Sequence, residues 1–330
     1  MQSKARIAGW SYSSLGTKLG QTPSTLVKQA LASALHRAGM QHKQLDGFLS
    51  CPSLADQRFM WAHHLASECG VLPSSSHRGV HVATIDNGGA SPVSMLLQAR
   101  ALIESRQCSA VAVVAGDAVS SLPPTQFLER ANGSMHTPSD VRDTNGHAVE
   151  MADLAEPIIP HGYAHCARAH MQVHGLTREQ LAMVAVLMSA QASYHPFALQ
   201  RTPYDLNDVL SAPPVAPYTG LYECARKSDG AAALIVTSAS FSFAPIQVLG
   251  GGEAAGPMGL AKKNSALLSS ISSAAAAFEI AYKDAGVSEQ VFFFVSVSVS
   301  VFVSVSVSVS LCLSDCVLIS VSVSVSVSVS

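Results

Sequence analysis

Apolar and polar positions along the chain keep a helical rhythm in some stretches and a strand rhythm in others. Leu26, Ala30, Leu31 and Leu35 recur at helical spacing across residues 25–38, and Gly39 supplies a stop. Residues 5–9, 80–86 and 111–116 read as strands, and 44–50 as a fourth. Residues 111–116, Val-Ala-Val-Val-Ala-Gly, are apolar throughout, which suits a strand covered on both faces. Alternating strands and helices over the first 120 residues predict an α/β layer structure with parallel strands.

After Asp117 the pattern breaks. Pro123, Pro124, Asn132-Gly133, Pro138, Asn145-Gly146, Pro157 and Pro160 punctuate the next forty residues too densely for a regular layer, so an excursion from the sheet is expected. A helix over 163–174 ends at Gly175, and a second starts at Thr177, with Gln180 three residues on at the capping-box position. Pro196, Pro203, Pro213, Pro214 and Pro217 mark another irregular stretch. Strand chemistry returns at 232–237 and 246–249, and 270–285 is a small-residue helix.

From Val291 onward the chain becomes a Val/Ser tail, alternating over 295–310 and again over 319–330. These forty residues hold 15 Val, 14 Ser and one charge, Asp315. As a strand they would place all Val on one face with no charge to blunt an edge. Two origins fit: a frame shift or truncated gene product, and a genuine low-complexity extension. The first predicts a second half too short to cover the apolar faces of the first, and hence an aggregated or protease-sensitive chain.

Composition narrows the function classes. The chain has 330 residues, 48% hydrophobic and 13% charged, with a formal net charge of −2. It can bury a large core, as one domain or two. It shows no clustered positive field for nucleic acid. No run of about 20 apolar residues predicts a membrane span, and the start lacks the apolar core of a secretory signal. Cys51, Cys69, Cys108, Cys166 and Cys224 are scattered without a C-x-x-C pair, as expected of reduced thiols. Among 13 His, the pairs His161/His165 and His170/His174 fall on opposite helix faces, so no metal site is expected.

Several segments in order carry a family resemblance. They are Ala38-Gly39 through Leu45-Asp46-Gly47, the turn Asp86-Asn-Gly-Gly-Ala-Ser-Pro92, Gly175-Leu-Thr-Arg-Glu-Gln-Leu-Ala182, Asp208-Val-Leu210 and Ser228-Asp-Gly-Ala-Ala-Ala-Leu234. Together they resemble thiolases, in particular the branch related to sterol-carrier-protein thiolases. The resemblance implies a thiolase-like α/β fold of two similar halves, with a coenzyme A-binding loop domain inserted in the first. Residues 1–120 plus 225–243 would form the first half and 121–224 the insertion. Residues 244–290 would begin an incomplete C-terminal half, and 291–330 would be the Val/Ser tail.

In thiolases the nucleophilic Cys sits between a strand and a helix start, and the resemblance assigns that position here to Gly89. The backbone N–H of Gly89 would remain as a donor to a thioester oxygen at the positive end of the helix, but no thiol is left to acylate. Read without the family, the same residues are a tight Gly-Gly turn. Ser91-Pro92 suits a helix cap and first turn, so Ser91, the weaker catalytic candidate, would have its oxygen engaged by backbone amides. Cys108 belongs to the far end of that helix. The catalytic loops of the second half have no counterpart; Ser314-Asp-Cys-Val317 is only a faint echo of one.

The segment running from Gly250 to Gly259, with Gly256, Pro257 and Met258, is similar to the stretch beside the pantetheine arm; it also reads as a flexible glycine loop. Arg226 and Lys227 before Ser228 would meet the nucleotide phosphates, or are ordinary solvated charges. His195 falls in a family stretch and reads as structural. The resemblance thus implies acyl-CoA chemistry of lipid metabolism without a covalent intermediate, by decarboxylation or aldol-type cleavage. A noncatalytic acyl-CoA or lipid-binding protein and a nonfunctional fragment are the alternatives. No covalently bound cofactor is expected, with a coenzyme A thioester as substrate or ligand. A homodimer through 80–86 and the following helix is also implied, within the cell and in a mitochondrion or peroxisome rather than secreted.

Overall fold

The computed structural model describes residues 4–72, 79–133, 142, 146–148, 157–238, 246–256 and 272–287, and the backbone of 308–312 and 316–320. Local chemistry sets the first elements. Strand β1 (Ala5–Tyr12) leads to helix α1 (Pro23–Ala38), whose N-cap Thr22 accepts from Thr25 N at 3.2 Å. Gly39 ends α1 at φ 64°, the left-handed cap that glycine adopts without a Cβ clash. Strands β2 (Gly47–Ser50) and β3 (His81–Thr84) flank α2 (Trp61–Glu68), and α3 (Ser91–Glu104) leads to β4 (Ala110–Ala118).

The period of two along β4 divides the core into two layers. Ala110, Ala112 and Val114 face α1 and α2, packing with Leu26, Leu31, Leu35, Trp61 and Leu65. Val111 and Val113 pack with Met95, Leu96, Leu102 and Ile103 of α3 on the other face. Helix α2 had no signal in the hydrophobic pattern; its packing on β2 and β3 holds it.

The four strands of the first 120 residues run in one direction as expected, but the whole sheet is mixed. β2 runs parallel to β3 and β4, but β7 (Asp229–Ser238) is antiparallel to β4 and to β1. The cause is the excursion between β4 and β7, which leaves and returns at one edge of the sheet. Ala118 and Asp229, the residues at its two ends, are partners in the register. A chain returning at the edge it left must run back antiparallel.

The excursion is also more regular than its prolines suggested. Helix α4 (Pro124–Gly133) starts on Pro124, and α5 (Ile158–His174) carries Pro160 in its first turn, where a missing N–H costs nothing. Helix α6 (Arg178–Tyr194) has the expected capping box, with Thr177 accepting from Gln180 N at 3.2 Å and Gln180 Oε1 from Thr177 N at 2.9 Å. Helix α7 (Leu206–Ser211), capped by Asp205, and the short pair β5 (Pro214–Ala216) and β6 (Thr219–Gly220) complete it.

Beyond β7, β8 (Ile246–Gly252) pairs antiparallel with β1, and α8 (Ser272–Ala285) packs on it. The tail adds β9 (Ser308–Cys312) and β10 (Cys316–Ser320); β10 lies parallel to β8 and antiparallel to β9. The eight strands follow the order β3-β2-β4-β7-β1-β8-β10-β9. Among the described residues no helix is long and apolar enough to cross a membrane.

Candidate functional site

The turn between β3 and α3 lies at the C-terminal edge of the parallel strands, where α/β sheets commonly bind ligands. Gly88 takes φ 57°, and its N–H donates to Asp86 Oδ1 at 3.2 Å. Ala90 N donates to Asn87 O and Ser91 N to Gly88 O, each at 3.1 Å, winding the chain into α3. Gly89 is exposed on this turn.

Ser91 is not the cap that the sequence implied. Ala90 is the N-cap, without a side-chain bond, and Ser91 is the first helical residue. The Ser91 hydroxyl accepts from Asn87 N at 2.8 Å and donates to Gly88 O at 2.7 Å, folding the preceding turn onto the helix. At 1% exposure and engaged both as donor and as acceptor, it is closed off from solvent.

Beside this turn stands a carboxylate with no signal in the sequence. Ser94 Oγ donates to Glu253 Oε1 and accepts from Asn87 Nδ2 at 2.8 Å. Glu253 follows β8 directly and is exposed. Only the crossing of β8 past α3 brings residues 94 and 253 together.

The glycines before Glu253 serve packing. A Cβ on Gly250 would lie 2.5 Å from Ala285 N, and one on Gly252 2.1 Å from Ala277 O, so both positions admit α8. This corrects the flexible-loop reading for 250–252, which are strand. Gly256 is half-buried beyond them, whereas Pro257 and Met258 lie outside the described residues.

Burial keeps the described thiols in their protonated form. Burial pushes Cys51, at the end of β2, up to about 11, and the charges of Asp117 and Asp86 add to it. Burial likewise raises Cys69, Cys108 and Cys166 to about 11, and raises Cys224. Near neutral pH these are thiols, not thiolates. Among the described residues no group of three His, Cys, Asp or Glu is placed to hold a metal ion.

The structure separates the three residues before β7. Arg226 Nη1 donates to Gln200 Oε1 at 3.3 Å, while Lys227 Nζ sits 4.5 Å from the centroid of the Phe127 ring. Ser228 is half-buried. Lys227 stands on the wall of a cavity of about 380 Å³ whose other walls include Phe127, Leu128, Ile159, Tyr163 and Cys224. Sequence reasoning missed this cavity because α4, one of its walls, lay in the stretch read as irregular. Glu223, 2% exposed, also lines it, and Arg178 donates to its Oε1 at 2.6 Å.

No protein-family profile matches the chain. Non-specific lipid-transfer protein-like 2 of Caenorhabditis elegans is 25% identical over 248 residues, 71% of this chain and 52% of that protein. An acetyl-CoA acetyltransferase of Methanocaldococcus jannaschii is 27% identical over 237 residues, 71% of this chain and 55% of its own. The chain thus spans about half the length of these relatives. Among solved structures, an Ltp2-ChsH2(DUF35) aldolase superposes with a TM-score of 0.69 at 18% identity, covering 87% of this chain and 70% of that one. The Acat5 thiolase of Ascaris suum in complex with coenzyme A gives 0.62 at 15%, covering 87% and 78%. The fold is that of thiolases. With its sequence relatives, this makes the chain a thiolase-superfamily protein of the sterol-carrier-protein-thiolase-like kind.

Proposed function

We propose that this protein binds an acyl-CoA thioester and promotes aldol-type carbon–carbon cleavage, without an acyl-enzyme intermediate. The observation that carries the proposal is the turn at Gly89: the chain passes there from strand to helix, and the position to which the resemblance assigns the acylated side chain is a glycine. The Gly89 N–H, at the positive end of α3, would stabilise the enolate oxygen of a thioester, the charge that develops in such a cleavage. Decarboxylation of a malonyl-type thioester would develop the same charge. The aldolase among the structural neighbours favours cleavage over acyl transfer.

In this reading, residues 121–224 are the coenzyme A-binding insertion of a first half made of 1–120 and 225–243, and 244–290 begin the second half. The pantetheine arm would use the apolar cavity beside Lys227, with Lys227, Arg226 and Ser228 toward the nucleotide and Gly256, Pro257 and Met258 along the arm. β3 and β7 are three strand spacings apart, about 14 Å, which an extended pantetheine arm can span toward Gly89. β3 is the edge strand of the sheet and would be the dimer contact.

The test is to incubate the full chain with 3-hydroxyacyl-CoA thioesters and follow shortened acyl-CoA and the released carbonyl compound by mass spectrometry. Turnover with unmodified protein mass is the expected result. An acylated protein would refute the reading, and so would failure of coenzyme A thioesters to bind. Binding without turnover would favour a noncatalytic acyl-CoA carrier.

A further inference from the structure

Cleavage of this kind needs a group that removes a proton from the substrate hydroxyl and returns one to carbon. A donor turn alone cannot do so. We infer that Glu253 is that group, the proton-transferring carboxylate of the site at Gly89; the inference rests on the reading of that site as a thioester enolate cradle.

Three observations converge on Glu253. Its carboxylate accepts one hydrogen bond from Ser94, on the first turn of α3, and Ser94 accepts in turn from Asn87, in the turn that carries Gly89. Asn87 Nδ2 donates to Ser94 Oγ at 2.8 Å, and Ser94 Oγ lies 3.4 Å from Ala90 O. The carboxylate is therefore held two hydrogen bonds from Asn87, two residues before the donor position. Second, only Oε1 is engaged by a partner among the described residues, and Glu253 is exposed, so Oε2 remains open to a substrate. Third, the backbone beneath it is fixed: β8 is clamped between β1 and β10, with α8 packed within van der Waals reach of Gly250 and Gly252. A base on such a support keeps its geometry.

The step balances without a cofactor. Glu253 takes the proton of the 3-hydroxyl group, and the oxygen lone pair forms the carbonyl. The bond between carbons 2 and 3 breaks, and its electron pair moves to carbon 2 and the thioester oxygen as an enolate. Glu253 then returns the proton to carbon 2. The products are a shortened acyl-CoA and an aldehyde or ketone, with the carboxylate regenerated. Ser94 acts as a positioning residue that orients the carboxylate.

Exchange at carbon 2 isolates this step from cleavage. In deuterated buffer, the full chain should incorporate deuterium into carbon 2 of propanoyl-CoA, read by mass spectrometry. Glu253→Gln should lower that rate about 100-fold or more, the usual contribution of a positioned base, with the dissociation constant for propanoyl-CoA changed less than twofold. Ser94→Ala should lower it by about tenfold at unchanged melting temperature, a loss that a merely structural role would not produce. If wild type binds the thioester but does not exchange, or Glu253→Gln exchanges as fast, the assignment of Glu253 is overturned while the binding reading stands. If propanoyl-CoA does not bind wild type, both fall.

Discussion

Replacing Asp229 by Ala removes the group that closes the excursion onto the sheet. Asp229 is fully buried at the start of β7 and accepts four hydrogen bonds: from Leu19 N at 3.0 Å, Ser120 N at 2.9 Å, Ser120 Oγ at 2.7 Å and Ser121 Oγ at 2.5 Å. The two hydroxyls can turn to other acceptors, but the two amides cannot. Each N–H left without a partner costs about 1–3 kcal/mol, so the substitution should destabilise the chain by about 2–6 kcal/mol. At about 2–4 °C per kcal/mol for a body of this size, the melting temperature should fall by roughly 4–24 °C. Burial raises the Asp229 pKa, but the bonds from Ser121, Ser120 and Leu19 outweigh it and hold the carboxyl below its usual value. Because the folded pKa is depressed, the stabilisation is present above the unfolded value, about 3.9, and is lost as pH falls through the folded value. Calorimetry of wild type and Asp229→Ala from pH 7 to pH 3 should therefore show a gap that narrows in acid. A difference below about 2 °C at pH 7, or a gap that stays constant with pH, would refute the role given to these bonds.

Gly89→Cys should restore a reactive thiol at the start of α3, alkylated by iodoacetamide at pH 7 at least about tenfold faster than any native cysteine. Equal rates would mean that the turn offers no positive end. The native thiols raised to about 11 should be only about 0.1% thiolate at pH 8, so thiol titration of the folded protein should lag far behind that of the denatured chain. Rapid labelling of Cys51 would contradict its raised pKa. Gly252→Ala drives a methyl group to 2.1 Å from Ala277 O and should cost about 1–3 kcal/mol in urea unfolding; an unchanged midpoint would show that α8 does not pack on β8.

What the sequence settled by itself is local. The Gly39 stop, the Thr177–Gln180 box and Gly175 fix the end of α1, the start of α6 and the end of α5 because each closes within a few residues. That position 89 is a glycine, with no side chain to acylate, is equally local. The tertiary structure decided the rest. The antiparallel entry of β7 follows from where a chain of more than a hundred residues returns. Ser91 became a turn clasp through contacts to Asn87 and Gly88 that cap statistics do not rank. The meeting of Glu253 with Ser94 spans 159 positions, and Lys227 finds Phe127 only because α4 is a helix packed beside it. Such pairs leave no periodic trace, since the sheet order that brings them together is fixed by the burial of two core layers at once and not by any segment alone.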